Sequence, residues 1–199
     1  MNKLLQLLML LLWAWPAAAD SPLTSTDFWR AYRDVPEVVM AHDLERLNTQ
    51  LGYYLLSQAP IDRKAAVINA LSWNFHGKQN AVLFREILEQ KYSGPNYESR
   101  LNGDELFCLG YLTALDDYFH AENALPWLGK ARKAHPKSFT VALIGALVEA
   151  QTRFQHFEEL WPITERVLND RNLKRDLRTS GVKIVTDYMK LYQKYVKRG

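Results

Sequence analysis

From residue 26 to the C-terminus, apolar side chains recur at spacings of three and four, and no stretch alternates convincingly between apolar and polar. That period belongs to helices, so the chain reads as helical throughout. Ser25 caps a short segment over 26–32. Pro36 is tolerated at a first helical position, where its missing N–H would have no partner, and it opens a helix over 37–56. Further helices are expected over 62–75 and 81–92, with Ser93-Gly94-Pro95-Asn96 as the loop that follows. Asn102-Gly103-Asp104 supplies a turn and a cap. Four helices come next, over 104–119, 123–134, 139–153 and 157–168, the third capped by Ser138. A last, basic helix spans about 174–197. Val182, Val185, Met189, Tyr192 and Val196 line one side of it, while Lys183, Lys190, Lys194 and Lys197 lie mainly off that seam.

The N-terminus follows a different pattern. Lys3 precedes an almost unbroken apolar run from Leu4 to Trp15, and Pro16-Ala17-Ala18-Ala19 supplies small residues. This is the layout of a secretory signal peptide over residues 1–19, ahead of a single all-helical domain over 20–199. The run is shorter than the roughly 20 residues that a membrane-spanning helix needs. No later stretch approaches that length, so an exported product is expected, preferably in the periplasm, with secretion to the medium as the alternative.

Within the helical part, Gly110 and Gly145, Phe119 and Phe154, Leu125 and Leu160, and Leu128 and Ile163 are each 35 residues apart. One spacing shared by four pairs describes two copies of a helix–turn–helix unit, a period typical of stacked hairpin arrays. Leu109, Gly110, Ala124, Leu128, Ala131 and Pro136 resemble a tetratricopeptide repeat. The first unit carries two extra residues between Gly110 and Ala124. The second, with Gly145, Phe154, Leu160 and Ile163, lacks the closing proline and has Pro162 early in its second helix. The resemblance covers about 102–169, and residues 64–92 are candidates for a third, degenerate unit. It implies an all-α fold of stacked antiparallel hairpins, either an α-solenoid or an irregular helical bundle. It further implies a concave face on which Asp104, Phe107, Tyr111, Phe139 and Glu149 would meet a partner, with Ala142 and Ala146 beside them. The three aromatic rings read equally well as core.

Charge and chemistry narrow this picture. Without residues 1–19 the net charge is about +2, which is not a nucleic-acid-binding profile. Residues 170–199 nevertheless carry nine Lys and Arg against three Asp. A basic tail on a mildly acidic body fits either a solvated helix face or a weak anionic contact. Cys108 is the single cysteine and sits in an apolar run, so it reads as a small buried hydrophobe without a disulfide partner. No metalloprotease, nucleophile-elbow, phosphate-loop or dinucleotide motif occurs. His76, His120 and His156 fall at successive corners, too far apart to share one ion, so neither a metal nor a cofactor is expected. Asp116-Asp117 reads as solvated helix-end charge. The expected function is therefore an exported, non-catalytic protein-binding module for a peptide or partner protein, serving envelope assembly or toxin neutralisation. The alternative is a periplasmic enzyme or small-ligand carrier whose site is assembled from distant residues.

Overall fold

The computed structural model describes residues 21–94 and 96–196; the expected signal peptide, residues 1–19, lies outside them. Among the described residues there are nine α-helices, four 3-10 segments and no strand beyond one bridge between Ser138 and Lys174. No helix among them is long and apolar enough to cross a membrane.

The single helix expected over 37–56 is two, α1 (Pro36–Leu44) and α2 (Thr49–Leu56). Glu45 takes a left-handed conformation, φ 50°, which ends α1. Asn48 starts α2 by accepting the Leu51 N–H at 2.8 Å, and the break is held because Leu47 N–H donates to Asn80 Oδ1 at 2.7 Å. The apolar stripe runs on through this break and so conceals it. α3 (Ile61–Ala70) stops short of the expected 75, and Ser72 turns left-handed at φ 60°. The Lys78 ammonium donates to the Leu71 carbonyl at 2.8 Å, which satisfies one of the acceptors a helix end leaves open.

α4 (Asn80–Tyr92) and α5 (Gly103–Asp116) follow. At the start of α5, Asn102 accepts the Glu105 N–H while the Glu105 carboxylate accepts the Asn102 N–H, a reciprocal capping box. α5 ends at Asp116 rather than 119, and a 3-10 segment (Tyr118–Ala124) leads into α6 (Leu125–Ala134). α7 (Phe139–Thr152) begins at Ser138, whose Oγ accepts the Val141 N–H, and α8 (Phe157–Asn169) returns beside it.

The last helix begins later than expected, at Thr179. It forms α9 (Thr179–Met189) and then a 3-10 segment, Lys190–Tyr195. Residues ahead of it are bound outside any helix. Lys174 N–H donates to Lys137 O at 2.7 Å, and Asp176 Oδ1 accepts from the N–H and hydroxyl of Thr140 at 2.8 and 2.9 Å.

Successive helices run back and forth, so α3, α5 and α7 start at one pole. Lys64 of α3 meets Asp104 of α5 there, and His135, just ahead of α7, meets the same carboxylate. These three helices touch one another and form the interior, with the other helices and the 3-10 segment Phe28–Tyr32 packed around them. Each carries an unbroken buried run: Lys64–Ala70, Glu105–Leu112 and Phe139–Ile144. α9 packs on Phe28–Tyr32, which brings the end of the chain back to its beginning. Arg178 fastens this closure. It lies over the Tyr32 ring, donates to the Ala31 carbonyl at 2.8 Å and pairs with Asp34 through both guanidinium nitrogens.

Met189 is fully buried. Met189→Ala should lower stability by about 2–5 kcal/mol in urea unfolding, whereas exposed Lys183→Ala should stay within about 0.5 kcal/mol. Equal, small effects would make the last helix an independent arm.

Candidate functional site

α7 is buried along most of its surface, but Gly145, Glu149 and Thr152 are half-buried, and between α6 and α8 this side forms the floor of a groove of about 530 Å³. Val141, Ala142, Gly145 and Ala146 make the floor, with Leu125 and Leu128 on one wall and Val167 on the other. Arg132, Glu149, Arg153, Arg166 and Asp170 stand around it. Arg166 pairs with Glu149 at 3.2 Å, and Arg153 reaches Glu159 at 3.9 Å. The Arg132 guanidinium instead donates to the carbonyls of His135 and Pro136. Its charge meets no carboxylate within ion-pair distance among the described residues. The groove thus joins an apolar floor to a rim with surplus positive charge.

The two glycines matched by the 35-residue spacing have different work. A Cβ on Gly110 would lie 2.8 Å from Leu128 Cγ and 3.1 Å from Trp127 Cβ, so this glycine lets α5 and α6 approach closely. A Cβ on Gly145 would meet nothing within 4 Å, and the same holds for Gly129 across the groove. Glycine inside a helix costs about 0.5–1 kcal/mol relative to alanine. At Gly110 packing offsets that cost; at Gly145 nothing in the chain does.

Of the residues expected to meet a partner, the groove contains Glu149, together with Ala142 and Ala146. Phe107, Tyr111 and Phe139 are fully buried and belong to the core, so they are not contact groups. The cause is the mutual packing of α3, α5 and α7, which fills the hollow that an open array would leave. Tyr111 accordingly spends its hydroxyl on Asn69 Nδ2, 3.1 Å away, and burial raises its pKa. Sequence reading did not single out Arg132, Arg153 and Arg166. Their signal was a basic residue on each helix flanking a mainly apolar one, Arg132 and Arg166, and a third, Arg153, at that helix's end.

Asp104 sits at the opposite kind of place, a polar pole. The Lys64 ammonium, on a side chain only 1% exposed, donates to Asp104 Oδ2 and to the Ser57 carbonyl, both at 2.6 Å. His135 Nε2 lies 2.9 Å from Asp104 Oδ1, off the line that an aligned hydrogen bond needs. Glu105, equally buried, accepts from Lys91 Nζ at 2.5 Å and Tyr92 hydroxyl at 2.7 Å, and that bond raises the Lys91 pKa. A cavity of about 200 Å³ opens over these groups. Cys108 lies buried nearby, and burial pushes its thiol up, away from a reactive thiolate.

At the other end of α5, Asp116 is not the solvated charge expected. Its carboxylate accepts the backbone N–H groups of Lys78 and Ala81 at 3.3 and 2.7 Å and so holds the α3–α4 loop. Burial raises its pKa against the lowering effect of those donors. Among the described residues no cluster of three His, Cys, Asp or Glu is placed to hold a metal ion.

Two substitution pairs test these assignments. Gly145→Ala should stabilise the protein by about 0.5–1 kcal/mol, because the methyl enters open space. Gly110→Ala should destabilise it by about 1–3 kcal/mol through overpacking against Leu128. Asp104→Ala should cost about 3–5 kcal/mol by leaving the Lys64 charge buried and unpaired, and Lys64→Met combined with Asp104→Leu should cost clearly less. Thermal and urea unfolding measure both pairs.

No protein-family model, no curated protein and no solved structure matches this chain.

Proposed function

We propose that this protein is a non-catalytic docking module that takes a peptide segment of a partner protein into the α6–α7–α8 groove. The observation that carries the reading is the open floor at Gly129 and Gly145, two helical glycines that no internal packing requires. A floor of alanine and glycine lets a partner backbone come close, as helix-in-groove recognition needs. The unneutralised Arg132, with Arg153 and Arg166 near it, favours a segment that combines apolar anchors with carboxylates. The hairpins α5–α6 and α7–α8 are in this reading repeat-like units, and the groove is the surface of the second. The signal-like residues 1–19 support export, with the periplasm as the preferred compartment. There, components of envelope assembly and envelope-acting toxins are the partner classes in keeping with a small docking module.

A second reading, an enzyme or small-ligand carrier, is favoured by the cavity beside Lys64, Asp104 and His135. Against it, the Lys64 and Glu105 charges are already engaged by internal partners. A carrier would be stabilised by its ligand in a thermal-shift screen of small anions and amines, and Gly145→Leu would leave that shift intact.

The docking reading is tested by selecting displayed peptides on the chain from residue 20 onward. Selected peptides should carry Asp or Glu beside apolar residues. Gly145→Leu, which fills the floor, and Arg132→Glu with Arg166→Glu should each weaken them about tenfold or more. Peptides that bind these variants as tightly as the parent would overturn the assignment.

A further inference from the structure

We propose that the corner made by the start of α8 and the 3-10 segment Lys190–Tyr195 is a contact surface for an anionic lipid bilayer. Three large apolar side chains are exposed there: Phe157 at 38%, Leu191 at 55% and Tyr195 at 42%. The Phe157 and Tyr195 rings lie 5.2 Å apart, Tyr192 of the segment packs 5.8 Å from Phe157, and Leu191 is exposed on the same short segment. Lys190 and Lys194 are both exposed on the same segment. Lys183 is paired with Asp187, whereas no carboxylate lies within ion-pair distance of Lys190 or Lys194 among the described residues.

This combination selects its occupant. Uncompensated lysines alone would suit any polyanion. Exposed Leu, Tyr and Phe beside them suit a boundary where anionic headgroups meet acyl chains, because the rings and Leu191 leave water there while lysine stems reach the phosphates. Tyrosine in particular prefers that boundary. The inference stands apart from the groove on α7, which none of these residues lines.

The test uses the chain from residue 20, which keeps every described helix and removes an apolar run that would itself enter lipid. Co-sedimentation is measured with vesicles of phosphatidylcholine alone and of phosphatidylcholine with 30% phosphatidylglycerol. The chain should bind the anionic vesicles and not the neutral ones. Lys190→Ala with Lys194→Ala should weaken binding about thirtyfold. Leu191→Ser with Tyr195→Ser should weaken it about tenfold or more. Circular dichroism should stay unchanged in both variants and Tm in the lysine variant; loss of the Tyr195 ring from its contact with Phe157 should lower Tm only slightly, without unfolding the chain at the assay temperature. Absence of vesicle binding would overturn the proposal, as would equal binding to both compositions. So would binding that ignores Leu191→Ser with Tyr195→Ser and is matched by soluble polyglutamate, which would point to an acidic protein surface instead.

Discussion

The arrangement depends on one charge that has been taken out of water. An isolated ammonium in a protein interior is strongly unfavourable, so Lys64 must be met by a partner wherever α3 goes. It is met by Asp104 in the first turn of α5 and by the carbonyl of Ser57 just past α2. His135, at the end of α6, shares the same carboxylate. Four helix ends are thereby brought to one height. The far end of α5 is fixed in a comparable way, by Asp116 gripping the backbone ahead of α4. α5 is thus held at both ends by its own carboxylates, and the apolar packing along its length has only one register in which to settle.

That register explains why the interior is closed. With α3, α5 and α7 level and in mutual contact, no hollow remains among them, and α9 returns to the first 3-10 segment to cover what the outer helices leave. Arg178 belongs to this step. The guanidinium beside Asp34 holds that carboxyl below its usual range, and burial lifts the Tyr32 hydroxyl well above its own. The Asp34 contribution is present above the ordinary carboxylate range and is lost as pH falls through it. Asp34 and Arg178 sit at the surface end of the closure, so the contribution is small, and apolar contact by Val185 and Met189 remains the larger part of the seam.

Much of the helical order was legible in the sequence because caps are local chemistry. Ser138, Asn102 and Pro36 announce their helices with side chains and ring geometry that act within a turn. What escaped was decided at a distance. The break at Glu45 is stabilised by Asn80, 33 residues away from Leu47, and the late start of α9 by Thr140 binding Asp176. Phe107, Tyr111 and Phe139 were placed by analogy with an open array, and nothing local says that α3 will fill the space in front of them. Glu149 lines the groove because it lies on the one half-buried side of α7. The arginines around it are ordinary surface residues in sequence, and only the pairing of three helices turns them into a rim.

The glycines carry the strongest argument for function. A folded chain reconciles local preference with global packing nearly everywhere, and departures without compensation concentrate where something other than stability is served. Gly110 is no departure, since Leu128 and Trp127 occupy the space a side chain would need. Gly77, at φ 71° and against the Asp116 carbonyl, is likewise required by the backbone. Gly145 and Gly129 sit in helices where an added Cβ would meet nothing within 4 Å, and they line the same groove. In the docking reading proposed above, a helix that would be more stable with alanine, yet stays bare in a groove also lined by Arg132, leaves room for the backbone of a partner.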